Sequence, residues 1–89
     1  MNWNVELMAQ AERDLSNLDP QMARRILRFV YERLAKLENP RSIGESLHGP
    51  NLGEFWKYRV GDYRLVAKIE DNRLLILVVR IGHRREIYR

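Results

Sequence analysis

The chain has 89 residues, 45% of them apolar, no cysteine and a formal net charge of +4. That length admits one domain, residues 1–89, with a core able to fold unaided, and the missing cysteines exclude disulfides and thiol catalysis and make a reducing cytoplasm the expected location. The first residues lack the basic-then-apolar order of a signal peptide, and the longest purely apolar run, residues 74 to 79, is far too short to span a bilayer, so no membrane partner is expected.

In chain order, residues 1–7 read as a strand. Residues 8 to 18 place Met8, Ala11, Leu15 and Leu18 on one helical stripe, with Gln10, Arg13, Asp14 and Asn17 outside it. Asp19-Pro20 is a restart signal: aspartate suits the N-cap, and proline suits the first helical position, where its missing N–H is harmless. The second helix runs to about Leu37 with Met22, Ile26, Phe29, Val30, Leu34 and Leu37 inward, and stops before Asn39-Pro40. Its outer face carries Arg24, Arg25, Arg28, Glu32 and Lys36. The i,i+4 pairs Arg28-Glu32 and Glu32-Lys36 favour a solvated, self-compensated surface there over an RNA contact. Residues 39 to 54, with three glycines and two prolines, predict a loop tacked down by Ile43, Leu47 and Leu52.

Residues 55 to 60 alternate polar and apolar, Gly61-Asp62 is a two-residue turn signal, and residues 63 to 69 alternate again, so a β-hairpin is predicted. Counting outward from the turn pairs Val60 with Tyr63, Arg59 with Arg64, Lys57 with Val66 and Phe55 with Lys68. Trp56, Tyr58, Val60, Tyr63, Leu65, Ala67 and Ile69 then form a core face, and Lys57, Arg59 and Arg64 share the other. Asp71-Asn72 reads as a second tight turn, and Gly82 ends the last strand. The order β-α-α-β-β-β predicts an α+β domain, with two helices on one face of a mainly antiparallel sheet and the opposite face open.

The charge is unevenly spread. Residues 55 to 89 hold nine Lys and Arg against four acids, a balance of +5, while residues 1 to 54 hold seven against eight, a balance of −1. Arg59 opposite Arg64 is a like-charge pair that an anion would relieve; the bland alternative is a solvated sheet face that merely carries cations. A basic region with aromatics suits RNA, whose phosphates pair with arginine and whose bases stack on rings. Alternation points Trp56, Tyr58 and Tyr63 inward, which leaves Phe55 and Tyr88 for stacking.

Three stretches, LHGPNLG at 47–53, WKYRVGDYRL at 56–65 and IGHRREIY at 81–88, make the chain resemble the RelE/ParE superfamily of bacterial toxins, in its RelE-type mRNA interferase branch. The resemblance covers nearly the whole chain and implies the microbial RNase-like RelE/ParE fold. It also implies a type II toxin that cleaves mRNA in the decoding site of the 70S ribosome and is neutralised by a cognate, RelB-like antitoxin. Carried over by position, the resemblance makes Lys57, Arg59, Arg64, Arg84 and Tyr88 the catalytic set. Phe55, Lys68 and Arg85 join Lys57, Arg59, Arg64 and Arg84 as the RNA-contacting set. Arg59 stands where the best-known members have a second lysine and cannot lose a proton near neutrality. His83 is a further catalytic candidate, because some relatives use a histidine in this region; the alternative is a surface residue after a strand. His48 reads as a loop residue.

Cleavage by attack of the 2′-OH on its adjacent phosphate needs a base, cations for the phosphorane and an acid for the leaving 5′-oxygen. No metal-ligand spacing is present, so neither metal nor cofactor is expected. Lysine and tyrosine ordinarily titrate near ~10, so Lys57 or Tyr88 would be a poor base without strict orientation of the RNA, which a ribosome supplies. The competing function is a ParE-like poison of DNA gyrase that cuts nothing.

Overall fold

The structure is a computed structural model that describes residues 2–47 and 55–85. Strand β1 (Asn4–Leu7) leads into helix α1 (Ala9–Ser16) and helix α2 (Pro20–Arg28). Strands β2 (Glu45–Ser46), β3 (Phe55–Val60), β4 (Tyr63–Glu70) and β5 (Leu75–His83) follow, in a five-stranded sheet ordered β1-β5-β4-β3-β2. β1 runs parallel to β5; every other pairing is antiparallel. The predicted α+β layering is therefore present, with one strand more than the alternation announced. β2 lies in the stretch expected to be loop. Two residues are too few to show a period, and the strand exists because the edge of β3 offers it hydrogen bonds.

The caps act as read. The Asp19 carboxylate accepts from the N–H groups of Gln21 at 3.1 Å and Met22 at 3.3 Å, with Pro20 opening α2. Beyond Arg28 the helical path continues as a π turn (Phe29–Arg33) and a 3-10 turn (Leu34–Lys36). The buried residues Ile26, Val30 and Leu34 are spaced by four, and α winding overshoots one turn by about 40° every four residues. The wider π turn takes up that drift and keeps the three aligned on the core. The same change of winding separates Glu32 from Lys36, so of the two expected surface pairs only Arg28–Glu32 forms, at 3.6 Å among the described residues.

Tyr58, Val60, Leu65, Ala67, Ile69, Ile76, Val78 and Ile81 from the sheet meet Ala11, Ile26, Val30 and Leu34 from the helical layer, and Trp56 and Tyr63 pack half-buried against them. The expected stripe of α1 fails at one position. Met8 precedes the helix and is exposed, because its N–H is used to extend the β1 ladder to the Val78 carbonyl at 2.9 Å.

The loop after α2 is held differently from the prediction. Ile43 is exposed, and Leu52 lies outside the described residues. The tack is Pro40, fully buried, whose carbonyl accepts the Tyr58 hydroxyl at 2.9 Å; burial pushes that hydroxyl's pKa up, which keeps it a donor. Gly44 lets the loop close: a Cβ there would meet the Tyr58 ring at 2.8 Å. Arg41 then reaches across to Asp71 through two bonds of 3.0 and 2.7 Å, and that contact holds the Asp71 carboxyl below its ordinary pKa. Asp71-Asn72 is not a two-residue turn. Residues 71 to 74 connect β4 to β5 as a 3-10 turn (Asp71–Arg73) closed by Leu74 in the left-handed region, at φ 46°.

Candidate phosphate-binding face

The β3–β4 register agrees at every pair with the one counted from sequence: Phe55 with Lys68, Lys57 with Val66, Arg59 with Arg64, Val60 with Tyr63. The turn forms because Gly61 takes φ +61°, which L side chains rarely adopt. Phe55, Lys57, Arg59, Arg64 and Lys68 thus stand on the face opposite the helical layer.

The like-charge pair relaxes without any anion. Arg64 bends back so that Nη1 donates to the Tyr63 carbonyl at 3.0 Å and the Gly61 carbonyl at 3.3 Å. Arg59 is exposed and lines the space beside α2. Lys57 pairs with Glu45 of β2 at 3.4 Å, the residue directly across from it. Cross-strand repulsion is therefore a weaker pointer to a ligand than the sequence made it.

A bulge re-phases β5. Ala67 pairs with Val78 but Val66 pairs with Arg80, so Val79 is the extra residue. Without it the strand would put Arg80 in the core; with it Ile81 is buried and Gly82 faces Arg64. The N–H of Arg84 then donates to the Asp62 carbonyl at 3.0 Å, which pins Arg84 to the hairpin turn next to Arg64. Two arginines separated by twenty residues of chain are brought to one corner of the sheet by backbone alone.

The same shift carries His83 away from that corner. It pairs with Tyr63 on the helix-side face, its ring edge-on to the Tyr63 ring with centroids 5.6 Å apart. Its Nδ1 accepts the Arg85 N–H at 3.2 Å, and it lines a cleft of about 350 Å³ with Asp14, Asn17 and Arg80. The sheet thus separates His83 from Lys57, Arg59 and Arg64. Arg85 is exposed beyond the strand end. Tyr88 and His48 lie outside the described residues.

One supporting residue is missing from the sequence reading. Asp14 was placed on the outer face of α1, yet its Oδ2 accepts the Ile81 N–H at 2.8 Å and Arg80 Nε at 3.1 Å. β1 covers β5 only as far as Val78, so the next N–H on that open edge needs a partner, and Asp14 supplies it. Burial would raise this carboxyl, but bonds from Ile81, Gln10 and Arg80 outweigh it and hold the pKa below the ordinary value. No local pattern reveals the contact, since its partners lie more than sixty residues away.

Fold and site together define a class: a small α+β domain with a cationic sheet face. The family model for the ParE toxin of type II toxin–antitoxin systems matches residues 5–88. The chain is 32% identical to toxin RelG of Mycobacterium tuberculosis over 89 residues, all of this chain and 99% of that one. It is 33% identical to toxin RelE of the same organism over 87 residues, 98% of this chain and 87% of that one. A crystal structure of the RelBE2 toxin–antitoxin complex from M. tuberculosis contains a chain that superposes with a TM-score of 0.85 at 27% identity, covering 94% of this chain and 100% of the other. The isolated E. coli RelE toxin superposes at 0.71 with 18% identity, over 97% and 90% of the two chains, a likeness of fold. The chain belongs to the RelE/ParE superfamily of type II toxin–antitoxin toxins.

Proposed function

We propose that this toxin is a ribosome-dependent endoribonuclease that cleaves mRNA in the decoding site, acts in the cytoplasm and is silenced by a RelB-like antitoxin. The observation that carries the reading is the sheet face bearing Lys57, Arg59 and Arg64, with the Arg84 backbone bonded to the hairpin turn at its end. A phosphodiester seated there meets two guanidinium forks able to hold non-bridging oxygens as charge grows in the phosphorane. The 2′-oxygen attacks the adjacent phosphorus, the bond to the 5′-oxygen breaks, that oxygen takes up a proton from water, and the products are a 2′,3′-cyclic phosphate and a 5′-hydroxyl. Arg59 adds positive charge but takes no proton. Proton removal falls to Lys57 or Tyr88, and His83, on the far face, is left out of the chemistry.

The antitoxin reading is supported by the relatives: the M. tuberculosis, Pyrococcus horikoshii and E. coli neighbours were solved as RelBE complexes. The gyrase reading draws on the family model, which bears the ParE name. One experiment separates the two. Purified toxin is added to 70S ribosomes programmed with a defined mRNA and, in parallel, to DNA gyrase with relaxed plasmid. Cleaved mRNA with unimpaired supercoiling is expected; intact mRNA with blocked supercoiling would reverse the assignment.

A further inference from the structure

A second cationic feature lies off the sheet face. β2 pairs with β3 only at Trp56 and Lys57, so among the described residues the outer edge of β3 from Tyr58 to Val60 has no strand beside it, and the helical layer flanks it instead. Two clefts run along that edge. One, of about 380 Å³, is lined by Arg25, Arg28, Arg33, Arg59 and the Gly61 turn. The other, of about 130 Å³, continues it past Lys57 to Glu45 and shares Phe29, Arg33 and Arg59 with the first. Glu32 pairs with Arg28 and Glu45 with Lys57. Arg25, Arg33 and Arg59 are all exposed, and among the described residues none of them has a carboxylate within ion-pair distance. The π turn brings Arg33 here, its guanidinium 6.0 Å from the Phe29 ring centroid.

We infer that this groove is a track for consecutive phosphates of single-stranded RNA, with Arg59 joining it to the hairpin corner. Three uncompensated guanidiniums along one edge repel each other, and a chain of phosphodiesters is the ligand that relieves all of them at once. The groove spans Lys57 to Gly61, roughly 13 Å at strand rise, longer than one phosphodiester unit. An acidic protein segment is the lesser fit. A protein interface needs an apolar anchor at its centre, and here Val60 is buried, Phe29 is half-buried against the core in contact with Tyr58, and the exposed Ile43 lies at the far end, in the second cleft only. The inference rests on the nuclease reading only in its choice of RNA.

The test is the salt dependence of binding. Arg25→Gln/Arg33→Gln removes two charges and keeps the aliphatic stems, while the Arg25 guanidinium that lies over Gly61 is removed with its charge. Binding of a labelled 2′-O-methyl uridine oligomer of about ten nucleotides, which has no free 2′-OH to attack, is followed by fluorescence anisotropy across a salt series. Each lost phosphate contact lowers the log–log slope by about 0.7 for a single strand, so the double variant should lose about 1.4 relative to the native chain. Arg73→Gln, whose side chain already pairs with Glu6 and Glu70, should leave the slope unchanged. A matching thermal midpoint shows that each variant is folded. An unchanged slope in the double variant overturns the inference, as does loss of polyglutamate binding with RNA binding retained. Ribosomal cleavage by the native chain is scored separately: cleavage with an unchanged slope sinks the track and spares the nuclease, and a fallen slope without cleavage does the reverse.

Discussion

At the scale of single residues, the corner and its support separate cleanly. Among the described residues Arg64 bonds to the exposed Gly61 carbonyl and the half-buried Tyr63 carbonyl beside the turn, and Arg84 is held by its backbone rather than its side chain. Arg64→Ala or Arg84→Ala should therefore leave the unfolding free energy within about 0.5 kcal/mol, while slowing cleavage on programmed ribosomes by about 10²–10³-fold, as loss of one charge-stabilising donor does. Native-like rates from both variants would dismiss the corner as the chemical site. Asp14 behaves oppositely. Asp14→Asn weakens charged hydrogen bonds at the open edge of β5 and should cost about 1.5–3 kcal/mol. Since its native pKa is depressed, the carboxylate contributes stability above its unfolded value, 3.8, that is lost as pH falls through the native value. Denaturant melts of the two proteins should differ at neutral pH and converge in strong acid; a constant gap would mean that the lost contacts owe nothing to charge.

At the scale of elements, local pattern revealed whatever local pattern determines. The β3–β4 hairpin follows from alternation and a turn glycine, so its register, and with it the face shared by Lys57, Arg59 and Arg64, was legible residue by residue. The π turn, β2 and the bulge at Val79 were not, because each answers to a partner distant in sequence: the sheet under α2, the edge of β3, the end of β1. The side of the sheet on which His83 stands was not legible for that reason, since a single extra residue in β5 exchanges the two faces. Leu74 shows the same pressure. It sits at φ 46° and ψ 50° because its N–H donates to the Asp71 carbonyl and its own carbonyl accepts from Asn4. Left-handed geometry costs a non-glycine residue roughly 1–2 kcal/mol, and this side chain is 39% exposed, so it has little burial to lose. Leu74→Gly should raise the unfolding free energy by about 0.5–1 kcal/mol. A lower thermal midpoint would show that the Leu74 side chain contributes more than the strain takes away.

At the scale of the molecule, folding gathers cations from both parts of the chain, Arg25 and Arg33 from residues 1 to 54 joining those of residues 55 to 89, whose balance is +5. One set of cations stands on the sheet face, another beside the open edge of β3, and Arg59 belongs to both. On the proposed reading such a surface takes RNA, yet among the described residues it offers no well-matched acid–base pair: a guanidinium such as that of Arg59 is no base, and His83 stands on the other face. Affinity without good proton transfer makes a slow enzyme on flexible RNA, where the 2′-OH meets the cations in no fixed direction. Holding the nucleotide in line is worth about 7–11 kcal/mol in favourable cases, which is the term a ribosomal decoding site can supply. Cleavage of mRNA on programmed ribosomes should therefore exceed cleavage of the same RNA free in solution by roughly 10⁵-fold or more. Among the described residues no group of three His, Asp or Glu side chains is placed to hold a metal, so activity should survive EDTA treatment of the toxin, provided the ribosomes keep their own Mg²⁺. Single-turnover rates on bound and free RNA, with chelated and untreated toxin, check both. Equal rates on the two RNAs would mean that the protein alone orients its substrate, and the catalytic burden assigned to the ribosome would have to return to side chains of this chain.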